Sequence, residues 1–281
     1  MSVVVGNKAC NAKCPFCISK ITPEQGKLVP EKDVNWRNFD IACRLAQRAG
    51  VTTVLLTGKG EPTLHSSLIY TYLNHLNRYK FPFVELQTNG IALKPREMKE
   101  WYDMGLTTIC LSVVHWSPIQ NHKIYQPNVQ KGYMNVAATV KNIHKAGLMT
   151  RLSCMLLKGY VDSVNEVKNL IAFCKDYGIK QLTIRPIDAP EKADTEQSKW
   201  VADHTLDSET VKEIKAFLSQ EGTPILELAH GGVIYDVGGQ NVCWATCITT
   251  NKSTEDMRQI IFFPDGTISY DWKYKGAVLL G

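Results

Sequence analysis

Short apolar runs alternate along this chain with longer segments of helical spacing. The runs fall at residues 3–5, 53–56, 84–86, 108–114, 150–157 and 181–186. Each has the length of a buried strand. Between them lie amphipathic segments with readable ends. Segment 36–49 puts Phe39, Ala42, Leu45, Ala46 and Ala49 on one face, and Gly50 supplies the stop. Pro95 opens a helix that ends near Gly105. Another runs from Gly132 to Ala146, ended by Gly147. Ser163 and Glu166 have capping-box spacing for a helix that reaches Tyr177 and ends at Gly178.

Strand–helix repetition with apolar strands predicts an α/β fold with a parallel sheet covered by helices and right-handed connections. Six strands are too few for a closed eight-stranded barrel. The expectation is a partial (β/α)6 TIM-like barrel, with ligands at the carboxyl ends of its strands.

Beyond Pro190 the pattern changes. Residues 191–199 are polar and read as a linker, and 206–220 as one more helix. From Thr223 onward short strands and Gly turns dominate, and Phe263-Pro264-Asp265-Gly266-Thr267 is a hairpin signal. The expected division is a core at 1–190, a linker and helix at 191–222, and a β-rich extension at 223–281. No repeat or low-complexity tract interrupts it.

Composition narrows the class. Of 281 residues, 44% are apolar and 21% charged, enough to bury a core and too ordered a mixture for intrinsic disorder. No apolar run approaches the ~20 residues that span a bilayer, so no membrane is expected. The first residues lack a signal peptide's charged region and cleavage site, which predicts a cytoplasmic protein. Net charge is +5, from 32 basic and 27 acidic residues. That suits an anionic ligand and an ordinary solvated surface equally. Without a basic arm, a nucleic-acid partner is not indicated.

The nine cysteines stand at 10, 14, 17, 43, 110, 154, 174, 243 and 247. An odd number without a signal peptide argues against a disulfide framework. Cys43, Cys110, Cys154 and Cys174 fall inside helix or strand patterns and read as small core hydrophobes. The clustered ones differ. Cys10-Asn-Ala-Lys-Cys14-Pro-Phe-Cys17 follows the first strand directly. Soft thiolates suit zinc or an iron–sulfur cluster. A structural zinc site wants a fourth ligand, and the nearest histidine is the distant His65. Three thiolates can instead hold three irons of one cubane and leave the fourth iron open.

C-x3-C-x2-C on the first βα loop of such a chain resembles the radical S-adenosylmethionine (SAM) superfamily. The resemblance implies that Cys10, Cys14 and Cys17 bind a [4Fe–4S] cluster whose open iron is chelated by the methionine end of SAM. It further implies that one electron cleaves SAM to a 5′-deoxyadenosyl radical, which takes a hydrogen from the substrate. Further segments match in order. Phe16 corresponds to the aromatic near the adenine. Gly58-Lys59-Gly60-Glu61-Pro62 resembles the family's G-G-E-P segment, with Lys59 intruding. Asn89 lies in a T-N-G at the end of the third strand, and Ser112 where relatives place a ribose contact. Arg151 and Ser153 lie where relatives contact the SAM carboxylate. An arginine in an apolar strand also needs an anion if buried. Val161 matches the adenine-contacting segment loosely, because Ser163 stands where a Gly is usual. Arg185 closes the sixth strand, where relatives touch adenine through the main chain. His115, Trp116 and His122 stand within reach of substrate.

The resemblance covers residues 2–190. Beyond it, Cys243-Trp-Ala-Thr-Cys247 precedes the P-D-G hairpin, which resembles SPASM or twitch extensions in part. There such cysteines hold an auxiliary iron–sulfur cluster; here Tyr270-Asp271 stands where another cysteine is common. The pair is either a candidate auxiliary site or two packed thiols, and the extension is expected to fold over the open barrel mouth. The leading expectation is an enzyme acting on a small-molecule or nucleotide-like substrate, with a reductant such as flavodoxin or ferredoxin. The alternatives are a peptide- or protein-modifying maturase or glycyl-radical activase, and a non-enzymatic metal-binding protein on a retained fold.

Overall fold

The computed structural model describes residues 1–22, 24–126, 134–188, 195–228, 231–245, 259–272 and 274–281. Six strands form its centre: β1 (Ser2–Val4), β2 (Thr53–Thr57), β3 (Phe83–Thr88), β4 (Thr108–Val113), β5 (Met149–Leu156) and β6 (Gln181–Pro186). They lie side by side in chain order, every neighbouring pair parallel. The sheet does not close, as a partial barrel requires. No helix among the described residues is long and apolar enough to cross a membrane.

The helices are α1 (Ile18–Ile21), α2 (Trp36–Arg48), α3 (Ser66–Leu76), α4 (Pro95–Asp103), α5 (Pro118–Tyr125), α6 (Val136–Lys145), α7 (Val164–Asp176), α8 (Glu196–His204) and α9 (Ser208–Glu221). Strand side chains alternate between two faces. Val54 and Leu56 of β2 and Val84 and Leu86 of β3 are buried in one core with Phe39, Tyr72 and Trp101 of α2, α3 and α4. Leu152 and Leu156 of β5 and Leu182 and Ile184 of β6 are buried in a second, with α6, α7 and α9. Each fully buried Leu, Ile or Phe contributes about 1.5–3 kcal/mol. Residues at the alternate positions face the inside of the curved sheet.

Helix ends follow local chemistry. Asn35 accepts from the Asn38 N–H at 3.0 Å and starts α2; Gly50, at φ +70°, stops the chain behind it. Ser163 accepts from the Glu166 N–H at 3.2 Å and starts α7. Two expectations are corrected. The helix read from Gly132 begins only at Val136, because Asn135 caps it through the Ala138 N–H; Gly132 itself lies outside the described residues. The polar stretch read as a linker contains the start of α8, capped reciprocally by Thr195 and Ser198 and held by the buried Val201.

The remaining strands are β7 (Thr223–Glu227), β8 (Val233–Val237), β9 (Gln240–Trp244), β10 (Ile261–Phe262), β11 (Ile268–Ser269) and β12 (Val278–Leu280). They extend both edges of the sheet. β9 joins β6 in parallel, with Thr183 opposite Cys243, and β8 and β7 follow antiparallel. β10 joins β1 in parallel, with Ser2 opposite Ile261, and β11 and β12 follow. The β10–β11 turn is the expected hairpin, closed by Gly266 N–H donating to the Phe263 carbonyl at 2.9 Å. It reaches the flank of the cysteine loop: Lys27 N–H donates to Asp265 Oδ2 at 2.7 Å.

Candidate functional site

The loop after β1 carries Cys10, Cys14 and Cys17 across the carboxyl ends of the strands. Lys13 N–H donates to the Tyr125 carbonyl at 2.7 Å, which ties the loop to the end of α5. Cys14 and Phe16 pack with Val114, Ile124, Leu157 and Ile187, all near strand or helix ends. Cys10 is exposed and Cys14 and Cys17 partly so. Burial pushes the Cys14 thiol up, reinforced by repulsion from Cys17 and Cys10. Burial also raises Cys10, with Glu61 and Cys17 adding to it against the Ala12 N–H. The three sulfurs therefore lie within electrostatic reach of one another. Loading them with metal displaces protons. Among the described residues no three His, Cys, Asp or Glu side chains gather as a single metal ion would need. A cubane takes one thiolate on each of three irons, which the three cysteines of this loop can supply.

The segments after β2 and β3 lock onto this loop. Glu61 N–H donates to the Ala9 carbonyl at 2.9 Å. A Cβ on Gly60 would stand 2.2 Å from that same carbonyl oxygen, and one on Gly58 3.1 Å from the Val5 carbonyl. Only glycine lets the two main chains approach so closely. The Glu61 carboxylate is buried and saturated. It accepts from Thr63 N–H at 3.1 Å, Thr63 Oγ1 at 2.7 Å, Thr88 Oγ1 at 2.6 Å and Asn89 N–H at 2.9 Å. Pro62 opens the short turn that follows. Asn89 Nδ2 reaches Asn11 Oδ1 at 2.7 Å and Cys10 Sγ at 3.9 Å. Lys59 donates to Thr22 Oγ1 at 3.1 Å and lies 5.4 Å from the Trp272 ring centre, joining this segment to the extension.

Phe16 meets Tyr125 edge-on at 6.3 Å and Trp200 at 6.2 Å, an aromatic wall beside the loop. Tyr125 is 5% exposed, its hydroxyl has no hydrogen-bond partner among the described residues, and burial raises its pKa strongly. Neither Tyr125 nor Trp200 stood out in the sequence. Both lie on helices of weak amphipathic pattern, and only folding brings them to Phe16.

The inner face of the sheet is polar. Ser112 lies opposite Ser153, and Ser153 opposite Thr183. Ser153 is fully buried and its hydroxyl has no partner among the described residues. Arg151 makes a two-pronged ion pair with Glu85, Nε to Oε2 at 2.8 Å, and donates to Thr183 Oγ1 at 3.1 Å. Within the chain, the anion that its burial demands is Glu85. Arg185 lies two residues beyond Thr183 on the same face. Cys243, opposite Thr183, completes the row and lies within electrostatic reach of Arg185 and Arg151. Cys247 lies outside the described residues. Val161 stands apart from the group, because its side chain is fully buried in the helix-side core, where an apolar residue is best placed. His115 accepts from the Ser117 N–H on Nδ1 at 2.8 Å and turns Nε2 toward Glu166 at 3.6 Å.

The family model described as the Radical SAM superfamily matches residues 4–174. A GTP 3′,8-cyclase of Aeromonas hydrophila is 29% identical over 160 residues, 54% of this chain and 44% of the cyclase. SuiB of Streptococcus suis, solved with S-adenosylmethionine, superposes with a TM-score of 0.63 at 16% identity, over 95% of this chain and 59% of SuiB. The enzyme anSMEcpe, solved with AdoMet and a peptide, gives 0.62 at 14% identity, over 99% of this chain and 76% of that one. The matches thus span less than two thirds of the cyclase and of SuiB, and at such low identity the two structures speak for the fold alone. With the family match covering more than half of it, the chain belongs to the radical SAM superfamily, enzymes that bind a [4Fe–4S] cluster and SAM.

Proposed function

We propose that the chain cleaves SAM reductively and abstracts a hydrogen from a small-molecule or nucleotide-like substrate. The observation that carries this reading is the clamp on the cysteine loop. Asn89 and the Glu61 main chain both bind the loop, and Glu61 in turn binds Asn89, so three segments fix one donor set over the strand ends. A [4Fe–4S] cluster held here would supply an electron received from a donor such as flavodoxin or ferredoxin, and SAM beside it would be the source of the carbon radical. The chain's own part is to hold and to shield. Cys10, Cys14 and Cys17 would ligate three irons. Gly58 and Gly60 admit close main-chain approach. Phe16, Tyr125 and Trp200 keep water from the adenine side. Ser112, Ser153 and Arg185 present polar groups to whatever enters the barrel, and Arg151 is held there by Glu85.

The polar inner face and the resemblance to a GTP 3′,8-cyclase favour a nucleotide-like substrate. One observation favours a peptide instead. β7 is exposed along its whole length, with Ile225 and Leu226 more than half exposed, and it is an edge on which an extended peptide can add a strand.

The test is anaerobic reconstitution. The chain should take up about four irons at this loop. With dithionite and SAM it should release 5′-deoxyadenosine, faster when its substrate is present. Cys10→Ala/Cys14→Ala/Cys17→Ala should lose that iron and the cleavage; iron surviving there would reveal an auxiliary cluster at Cys243 and Cys247. Stable zinc with no iron uptake would sink the reading.

A further inference from the structure

From β3 to β9, the strand positions facing the barrel interior carry three charged side chains: Glu85, Arg151 and Arg185. Glu85 and Arg151 satisfy one another. Arg185 makes no side-chain hydrogen bond or ion pair among the described residues, and its Nε is buried without a partner. Its electrostatic neighbours on this face, Cys110 and Cys243, are thiols and offer it no carboxylate partner. One residue row deeper, on the neighbouring strand, the fully buried Ser153 hydroxyl also lacks a partner among the described residues. A buried donor left unmade costs stability, and an unpaired cation costs more. Two such groups on adjacent strands, on the face that opens to the strand ends, are what a site for an anionic oxygen group presents before its ligand arrives.

We propose that Arg185, with the Ser153 hydroxyl, anchors an anionic oxygen group of the substrate, a phosphate or a carboxylate, in the barrel mouth. The guanidinium offers a planar fork that matches either group. Arg151 is less suited, because Glu85 balances its charge and three of its five N–H donors go to Glu85 and Thr183. This inference rests on the proposal that a small substrate enters the barrel, and it names the part of that substrate the barrel grips.

Calorimetric titration of the reconstituted full-length chain, with SAM saturating, tests it with two probes, pyrophosphate and succinate. At least one should bind, and the tighter one identifies the class. Arg185→Gln should weaken that binding about tenfold or more. Ser153→Ala should weaken it less. Arg96→Gln removes one positive charge from an exposed helix face and should change nothing. Without ligand, Arg185→Gln should melt no lower than the parent, since it removes an unpaired cation. The proposal is overturned if neither probe binds, if Arg185→Gln binds as the parent does, or if that variant loses SAM affinity or melts lower in step with the probe. Release of 5′-deoxyadenosine is measured on the same sample. A chain that cleaves SAM but binds neither probe loses this anchor and keeps its radical chemistry. A chain that binds a probe through Arg185 without cleaving SAM does the reverse.

Discussion

Asn89 N–H donates to the Glu61 carboxylate at 2.9 Å, so the end of β3 is bolted to the loop that follows β2. The same Asn89 turns its side chain to Asn11 and Cys10. Glu61 therefore positions the cysteine loop through Asn89, besides whatever its main chain offers a ligand.

Glu61→Gln should accordingly weaken the fold and the loop together. A carboxamide puts an NH2 against donors and leaves at least one buried partner unmade, a loss of about 1–3 kcal/mol. Urea unfolding of the metal-free chain measures the first effect, and iron uptake per chain the second. An unchanged midpoint would show that the network around Glu61 relaxes at no cost.

Gly60→Ala separates loop approach from global stability. The new methyl would collide with the Ala9 and Asn7 carbonyl oxygens, at 2.2 Å and 2.6 Å, and main chain cannot swing aside as a side chain can. Iron uptake should drop by more than half while the far-UV spectrum stays that of the parent. Full iron loading of this variant would mean that the two segments do not need their close contact.

Breaking the Glu85–Arg151 pair from one side should be costly. Arg151→Met or Glu85→Met leaves a charge uncompensated among buried neighbours, about 3–5 kcal/mol. The double variant Glu85→Met/Arg151→Met should recover most of it, with SAM affinity within about threefold of the parent's. A large loss of SAM affinity in the double variant would return Arg151 to the ligand.

Three histidines make stability fall on mild acidification. Burial lowers the pKa of His75, His115 and His144 from the ordinary 6.5. Lowering the pH through 6.5 lets the unfolded chain take up protons that the folded chain refuses. Their stabilising effect is complete above that value and declines below it, toward their lowered folded values. Melting temperatures at pH 7.5 and 5.5 give the difference, and His75→Gln, which removes the ring stacked on Trp36 at 4.0 Å, should narrow it. A gap as wide as the parent's would assign the acid sensitivity elsewhere.

What could be read ahead of the structure was local. The six central strands were legible because each is a short apolar run between turn residues, and the cysteine loop because its three thiols lie within eight positions. Pairings over distance were not. Glu85 and Arg151 are 66 residues apart, and nothing in either neighbourhood points to the other. The arginine's need for an anion was clear; its source was not. α8 was hidden by its polar first turn, since Thr195 and Ser198 cap a helix with side chains that suit a linker equally. α3 was there to be read, with Leu68, Ile69, Tyr72, Leu73 and Leu76 at helical spacing.

The last strands border both edges of the central sheet, and this shapes how the chain reaches its final form. β1 leaves the ribosome well before β10, so the pairing of Ser2 with Ile261 waits until Ile261 has been made. Until then β1 presents an unfinished row of N–H and C=O groups, open to other chains. Such a distant parallel pairing is also slow to form. The nascent protein thus carries a sticky margin until β10 is made, and its yield should depend on chaperone capacity more than its final stability suggests.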